Sequence, residues 1–336
     1  MDKIYNNPGF YTLPVRLVIG WTYYSAFWRR TILENKLNPD LAGYVGEKFN
    51  HFLPNALGIK PVIQYLLEHP DLLWINMIIF TIIEGLVGLF LLFGLFTRLM
   101  GLGAFSLAMG ILLGSGWIGT TCLDEWQIGV LGIATGFMLF LTGSGQYSLD
   151  HYLIKNGFKI TKRKWFAWVG SGPIPIPETS LSKLVITGAI VLFGITLFTN
   201  QVFHGGLYGK LHNKSVKPKL EITEGAIKAN ELSFNVFRTE GVDVYGSWVI
   251  TIALVDSNDN TILSYDQKAL SRLTEENLIN YYIAKVKAGK YSLLIPLGAK
   301  AKLILPNDAL LDLPEGKYTL RITDISGAYW EQSIEK

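Results

Sequence analysis

The sequence predicts an α-helical membrane bundle of four helices plus a fifth transmembrane helix, followed by an all-β domain of immunoglobulin-like sandwich type. Three observations predict it. Only 17% of the 336 residues are charged and mean hydropathy is +0.29, against about 25% charge in an average soluble domain. The deficit is uneven: the first 200 residues hold 25 charged side chains and the remaining 136 hold 32. Apolar runs near the roughly 20 residues that a bilayer crossing needs fill the first part, and short alternating runs fill the second. A purely soluble protein is excluded, and a net charge of +3 is no basic excess of the kind a nucleic-acid binder carries.

The first run, Leu13–Trp28, carries Arg16, and no small-x-small cleavage site follows it, so it reads as a retained helix and not a signal peptide. The second, Leu72–Phe96, carries Glu84. The third, Leu99 to about Ile118, and the fourth, Trp126–Thr142, contain Gly110-x-x-x-Gly114 and Gly132-x-x-x-Gly136, spacings that predict tight packing of these two helices. The fifth run is Leu181–Thr199. Domains are expected at 1–150 (four helices), 151–180 (basic loop), 181–200 (fifth helix) and 201–336 (outer β domain). Lys155, Lys159, Lys162, Arg163 and Lys164 place the 151–180 loop in the cytoplasm by the positive-inside rule. Five spans of an inner (cytoplasmic) membrane then put the N-terminus inside and the C-terminal domain outside. The segment from Arg29 to Asp71 also falls outside despite five basic residues, and four prolines there predict short helices or loops on the outer face.

After Phe203–Asn213 (FHGGLYGKLHN), a glycine-rich hinge whose His204 and His212 are expected to be exposed, about seven strands are predicted. Leu232, Phe234 and Val236 share one face, as do Trp248, Ile250, Ile252 and Leu254. Tyr318, just after the turn Pro314-Glu315-Gly316, suits a tyrosine corner.

Charges within hydrocarbon are costly and face a partner or a polar cavity. Arg16 and Glu84 each lie twelve positions from the outer ends of their runs, Trp28 and Leu72, so they are expected to meet about 18 Å deep. Two readings stay open: an ion pair that holds two helices, or a protonatable carboxylate beside a quinone headgroup whose carbonyl the arginine orients. Arg29 and Arg30 suit either a small-oxyanion site or anchoring to lipid phosphates. The single cysteine, Cys122, excludes an intrachain disulfide; it stands in GTTCLDEWQIG as either a sulfur acceptor or a plain thiol, with Asp124, Glu125 and Trp126 beside it. Acidic neighbours disfavour a thiolate. No haem, flavin or metal motif is present, and the five histidines have no zinc-ligand spacing.

The run Gly143-Ser144-Gly145-Gln146-Tyr147-Ser148-Leu149-Asp150 resembles the G-x-G-x-x-S-L-D signature that follows the fourth helix of the DoxX/DoxD membrane family, and Arg16, the carboxylate on the second helix and Cys122–Trp126 also look like DoxD. The fifth helix and outer β domain, from His204-Gly205-Gly206 onward, resemble DoxA. The resemblance implies a fused thiosulfate:quinone oxidoreductase: thiosulfate or a related sulfur anion oxidised to tetrathionate on the outer face, with membrane quinone as electron acceptor. Glu84, Arg16 and Cys122 are then the candidate catalytic residues, and Arg29, Arg30, Asp124, Glu125 and Trp126 the candidate substrate-binding ones. A homo-oligomer or a membrane partner subunit is compatible with it. The alternative is a non-enzymatic membrane anchor or assembly subunit whose outer β domain binds a partner protein; a carrier of sulfur compounds is a third.

Overall fold

A computed structural model describes residues 8–119, 124–242 and 247–336. Its described residues form two compact units, one from 8–46, 71–116 and 124–212, the other from 47–70, 117–119, 213–242 and 247–336.

The first unit is helical. Its long helices are α1 (Leu13–Ile32), α2 (Pro70–Phe93), α3 (Thr97–Ser115), α4 (Asp124–Thr142) and α5 (Glu178–His204). Helices α2 to α5 are long and apolar enough to cross a membrane, so the chain is a membrane protein. Helix α1 has the length but falls outside that set, because Arg16, Arg29 and Arg30 lower its hydropathy. Helix α5 is apolar on all sides and its apolar stretch is uncovered within the unit, the pattern of a helix whose solvent is lipid.

Close backbone approach sets the helix registers. A Cβ on Gly88 of α2 would stand 2.3 Å from the Tyr24 amide nitrogen of α1, and one on Gly20 would stand 2.9 Å from that of Leu92. Helices α3 and α4 meet through Gly101 against Gly136, and Gly132 against Ala108. The Gly132-x-x-x-Gly136 spacing is therefore at the crossing, while Gly110 faces open space.

The second unit is all-β, joined by a helical segment. Its strands are β1 (Lys219–Lys228), β2 (Glu231–Glu240), β3 (Ser247–Val255), β4 (Thr261–Tyr265), β5 (Leu278–Asn280), β6 (Lys287–Ala288), β7 (Leu293–Ile295), β8 (Lys300–Pro306), β9 (Lys317–Asp324) and β10 (Tyr329–Glu335). They pair antiparallel in two sheets, ordered β1-β2-β8-β5 and β10-β9-β3-β7-β6, with β4 on β3. Leu232, Phe234 and Val236 are buried together as their alternation predicts. The β3 alternation fails at its start. A register shift against β9 between Val249 and Thr251 changes the phase of the pleat, so Val249, Ile252 and Leu254 are buried and Trp248 is 41% exposed. The Tyr318 hydroxyl donates to the Pro314 carbonyl at 2.8 Å.

Short helices Glu47–Phe52 and Lys60–Glu68 belong to this unit. Asn50 is fully buried, donating to the Gly298 carbonyl and accepting from the Ala284 amide, both at 3.0 Å. Asn55 donates to the Thr239 carbonyl at 3.0 Å, and the Trp117 indole N–H to the Phe52 carbonyl at 3.3 Å.

Candidate functional site

The helix registers decide which charges meet. Gly20 opposite Gly88 and Phe27 over Gly85 place Arg30, and not Arg16, beside Glu84. The expected Arg16–Glu84 pair is corrected accordingly: counting inward from the loop ends assumed that α1 and α2 begin at one level, and the glycine contacts shift them past each other by about three turns. Arg30 Nη1 donates to Glu84 Oε2, and the pair is sheltered, with side chains 20% and 6% exposed. The guanidinium carbon also lies 5.3 Å from the centroid of the Phe80 ring. Tyr23, 6% exposed, stands in electrostatic reach of Glu84 and donates to the Ala104 carbonyl at 3.1 Å. Glu84 is nine residues from the Phe93 end of α2, roughly 14 Å along the axis, and Arg30 is two residues from the Ile32 end of α1, so the pair sits midway along α2 and in the last turn of α1. A sheltered carboxylate can hold or release a proton, and a guanidinium beside it can donate to an oxygen.

Arg29 is exposed and its Nε donates to the Ser25 carbonyl at 3.3 Å, while its charge, like that of Arg30, acts on Glu84.

Arg16 belongs to the opposite end of α1, where the Gly143–Asp150 signature folds. Gly143 and Gly145 take φ of +68° and +70°, a region costly to other residues. The turn they build brings the Tyr147 carbonyl to Arg16 Nη2 at 2.7 Å, leaving Arg16 Nε and Nη1 buried and without a hydrogen-bond partner among the described residues. Asp150, with no exposure, accepts from the Phe96 and Thr97 amides at 2.8 and 3.0 Å and from Ser171 Oγ at 2.8 Å. It thereby caps α3 from a distant segment. Arg98, 2% exposed, donates to the carbonyls of Phe140, Ala167, Gly170 and Gly172, fastening the segment after Asp150 to the bundle. The sequence presents Asp150 only as the last letter of the signature, and its burial had one signal, the position of an acid at the end of a glycine turn.

At the other end of α4, the Trp126 indole N–H donates to Thr199 Oγ1 on α5 at 3.0 Å. The expectation of an exposed His204 is corrected: the side chain is 2% exposed, because α5 continues one turn past Thr199 and the loop behind it folds back, with the His212 amide on the His204 carbonyl at 2.9 Å. Glu125 is half-buried. Cys122 and the Asp124 side chain lie outside the described residues.

Two family models match. One described as TQO small subunit DoxD covers residues 11–177, and one described as TQO small subunit DoxA covers residues 203–333. They follow one another from N- to C-terminus and leave little of the chain unmatched, with the DoxD match over the signature turn and the Glu84–Arg30 pair and the DoxA match over the β sheets. The chain belongs to the DoxD and DoxA families of thiosulfate:quinone oxidoreductase subunits, carrying both in one polypeptide.

Proposed function

We propose that this chain oxidises thiosulfate to tetrathionate and reduces a membrane quinone, with the quinone headgroup received at Glu84 and Arg30. Family membership supports the general reaction, and the observation that carries the site is the sheltered Glu84–Arg30 pair midway along α2. The reaction balances: two thiosulfate dianions each lose one electron and join through a new S–S bond, while the quinone takes two electrons and two protons. In this reading Arg30 turns from Glu84 to donate to a quinone carbonyl oxygen, and Glu84, released from the pair, takes a proton from solvent and passes it to the reduced quinone, once for each of the two protons. Arg16 holds the signature turn and takes no part in the headgroup contact. Arg29, exposed one residue away, recruits the anion, and Cys122 is the sulfur acceptor, a role resting on sequence alone: its thiolate joins the first thiosulfate through an S–S bond as two electrons pass to the quinone, and the second thiosulfate attacks that adduct, leaving as tetrathionate and freeing the thiolate. Orientation in an inner membrane with the β unit outside rests on the basic residues between Lys155 and Lys164.

Purified protein in lipid nanodiscs, given thiosulfate and a short-chain quinone, should form quinol and tetrathionate in equal amounts. A folded protein that reduces neither ubiquinone nor menaquinone analogues would refute the proposal.

A further inference from the structure

A cavity of about 730 Å³, within the usual range of small-molecule sites, opens in the helical unit at the ends of two spans. Its walls come from the last turn of α4, the signature turn, the short helix Leu149–Lys155, the loop from Ser171 to Ile174 and the first turn of α5. Leu141, Ile154, Ile174 and Leu181 supply an aliphatic wall. Of the polar side chains that line it, three are already bonded: Arg98 to backbone carbonyls, Thr142 to the Met138 carbonyl and Ser171 to Asp150. Gln146 and His151 are half-buried, and neither side chain has a hydrogen-bond partner among the described residues. Each can donate from a side-chain N–H whatever the charge of the imidazole. Lys155 stands four residues beyond His151, on the same face of the short helix, and is exposed.

Charge around the cavity is one-sided. From His151 to Pro177 the chain carries Lys155, Lys159, Lys162, Arg163 and Lys164 and no acid. Of the carboxylates bordering this stretch, Asp150 is fully buried and held by the Phe96 and Thr97 amides and Ser171, which leaves the exposed Glu178 at the start of α5. The ends of α4 and α5 mark the level where a bilayer's hydrocarbon gives way to its headgroups, and Tyr147, Tyr152, Trp165 and Trp168 of the same segment are exposed, as aromatic side chains of that interface are.

An occupant that answers all of these features has an apolar part for the aliphatic wall, oxygen acceptors for the two free donors, and a negative charge for the cations. A quinone is neutral and leaves the cations unanswered. A small soluble anion leaves the aliphatic wall wet. We propose that this cavity binds an anionic phospholipid, its phosphate accepting from Gln146, His151 and Lys155 and an acyl chain lying along Leu141, Ile154 and Leu181. The lipid ties the segment after Asp150 to α4 and α5, a role separate from the redox chemistry proposed above and from the side of the membrane on which the segment lies.

Native mass spectrometry of the full chain, released from nanodiscs that hold dioleoylphosphatidylglycerol and dioleoylphosphatidylcholine in equal amounts, tests the assignment, because the two lipids share acyl chains and differ in headgroup charge. A retained phosphatidylglycerol is expected, preferred over phosphatidylcholine by about tenfold or more, and its addition in detergent should raise the temperature of thermal unfolding. In Gln146→Leu/His151→Leu/Lys155→Gln the preference and the thermal shift should both disappear. The comparison of the two lipids on the unaltered protein stands even where that variant fails to fold. Equal retention of the two lipids, or a preference that the triple variant keeps, would overturn the inference. Displacement of the lipid by an excess of free glycerol 3-phosphate would overturn it too, since the site would then be one for soluble anions.

Discussion

Removing Arg30 tests whether the Glu84 charge depends on it. In Arg30→Ala the carboxylate, 6% exposed, loses the guanidinium and keeps its desolvation. The protein then has two options, to bear an unpaired buried charge, costing about 3–5 kcal/mol, or to protonate Glu84. Protonation at pH 7 of a carboxyl with the ordinary pKa of about 4.3 costs about 3.7 kcal/mol, so it caps the loss. Lost packing of the guanidinium on Phe80, 5.3 Å away, adds about 0.5–2 kcal/mol. The expected destabilisation is therefore about 3.5–5.7 kcal/mol, with one proton gained. Reversible unfolding in bicelles measures the first, and infrared difference spectra, showing a protonated carboxyl band that disappears in Arg30→Ala/Glu84→Gln, measure the second. The double variant should regain at least half the loss, because the orphaned charge is gone. A loss under about 1 kcal/mol, or zero coupling in the double-mutant cycle, would refute the reasoning.

Three further outcomes follow from the fold. Asp150→Ala strands the Phe96 and Thr97 amides at the start of α3 and should cost about 2–6 kcal/mol at about 1–3 kcal/mol per unmet buried group; Asp150→Asn should cost less, and unfolding in bicelles compares the two. Gly88→Ala forces a Cβ to within 2.3 Å of the Tyr24 nitrogen and should cost about 1–3 kcal/mol, whereas Gly110→Ala, into open space, should be neutral or stabilising in the same assay. Tyr265 donates to the Leu305 carbonyl at 3.2 Å, and burial pushes its hydroxyl up to about 12. Its folded value is raised, so its contribution is complete below about pH 10, the unfolded value, and is lost as pH rises toward 12. Denaturant titrations across that window should show a decline that Tyr265→Phe flattens.

The long elements were legible because each rests on local pattern. Apolar runs located α2 to α5 to within a few residues, and Leu232-x-Phe234-x-Val236 located the core face of β2. What stayed hidden depends on relations between segments. The β3 phase change comes from a bulge against β9, and nothing in the alternation of β3 itself announces it. The Arg16–Glu84 pairing failed because the register of α1 on α2 is set by Gly20, Gly85 and Gly88, glycines that the sequence presents no differently from the rest. Glu84 was the right acid with the wrong partner, and Arg30 the right cation read into a pair with Arg29. The burial of Asp150 and Arg98 escaped notice because, Ser171 apart, their partners are backbone groups, which every sequence supplies in abundance. The segment from Glu47 to Glu68 was expected as short helices, but its membership of the β unit is fixed by Asn50 and Asn55, two amides whose contacts lie far along the chain.

The central claim, that quinone receives its protons at Glu84 beside Arg30, is tested most directly by kcat/KM for quinone at saturating thiosulfate in the unaltered protein and in Glu84→Gln. Loss of a general acid predicts a fall of about 10²- to 10⁴-fold, with the KM for thiosulfate unchanged. Equal quinone reduction by the two proteins would contradict the account and move the quinone site elsewhere in the bundle.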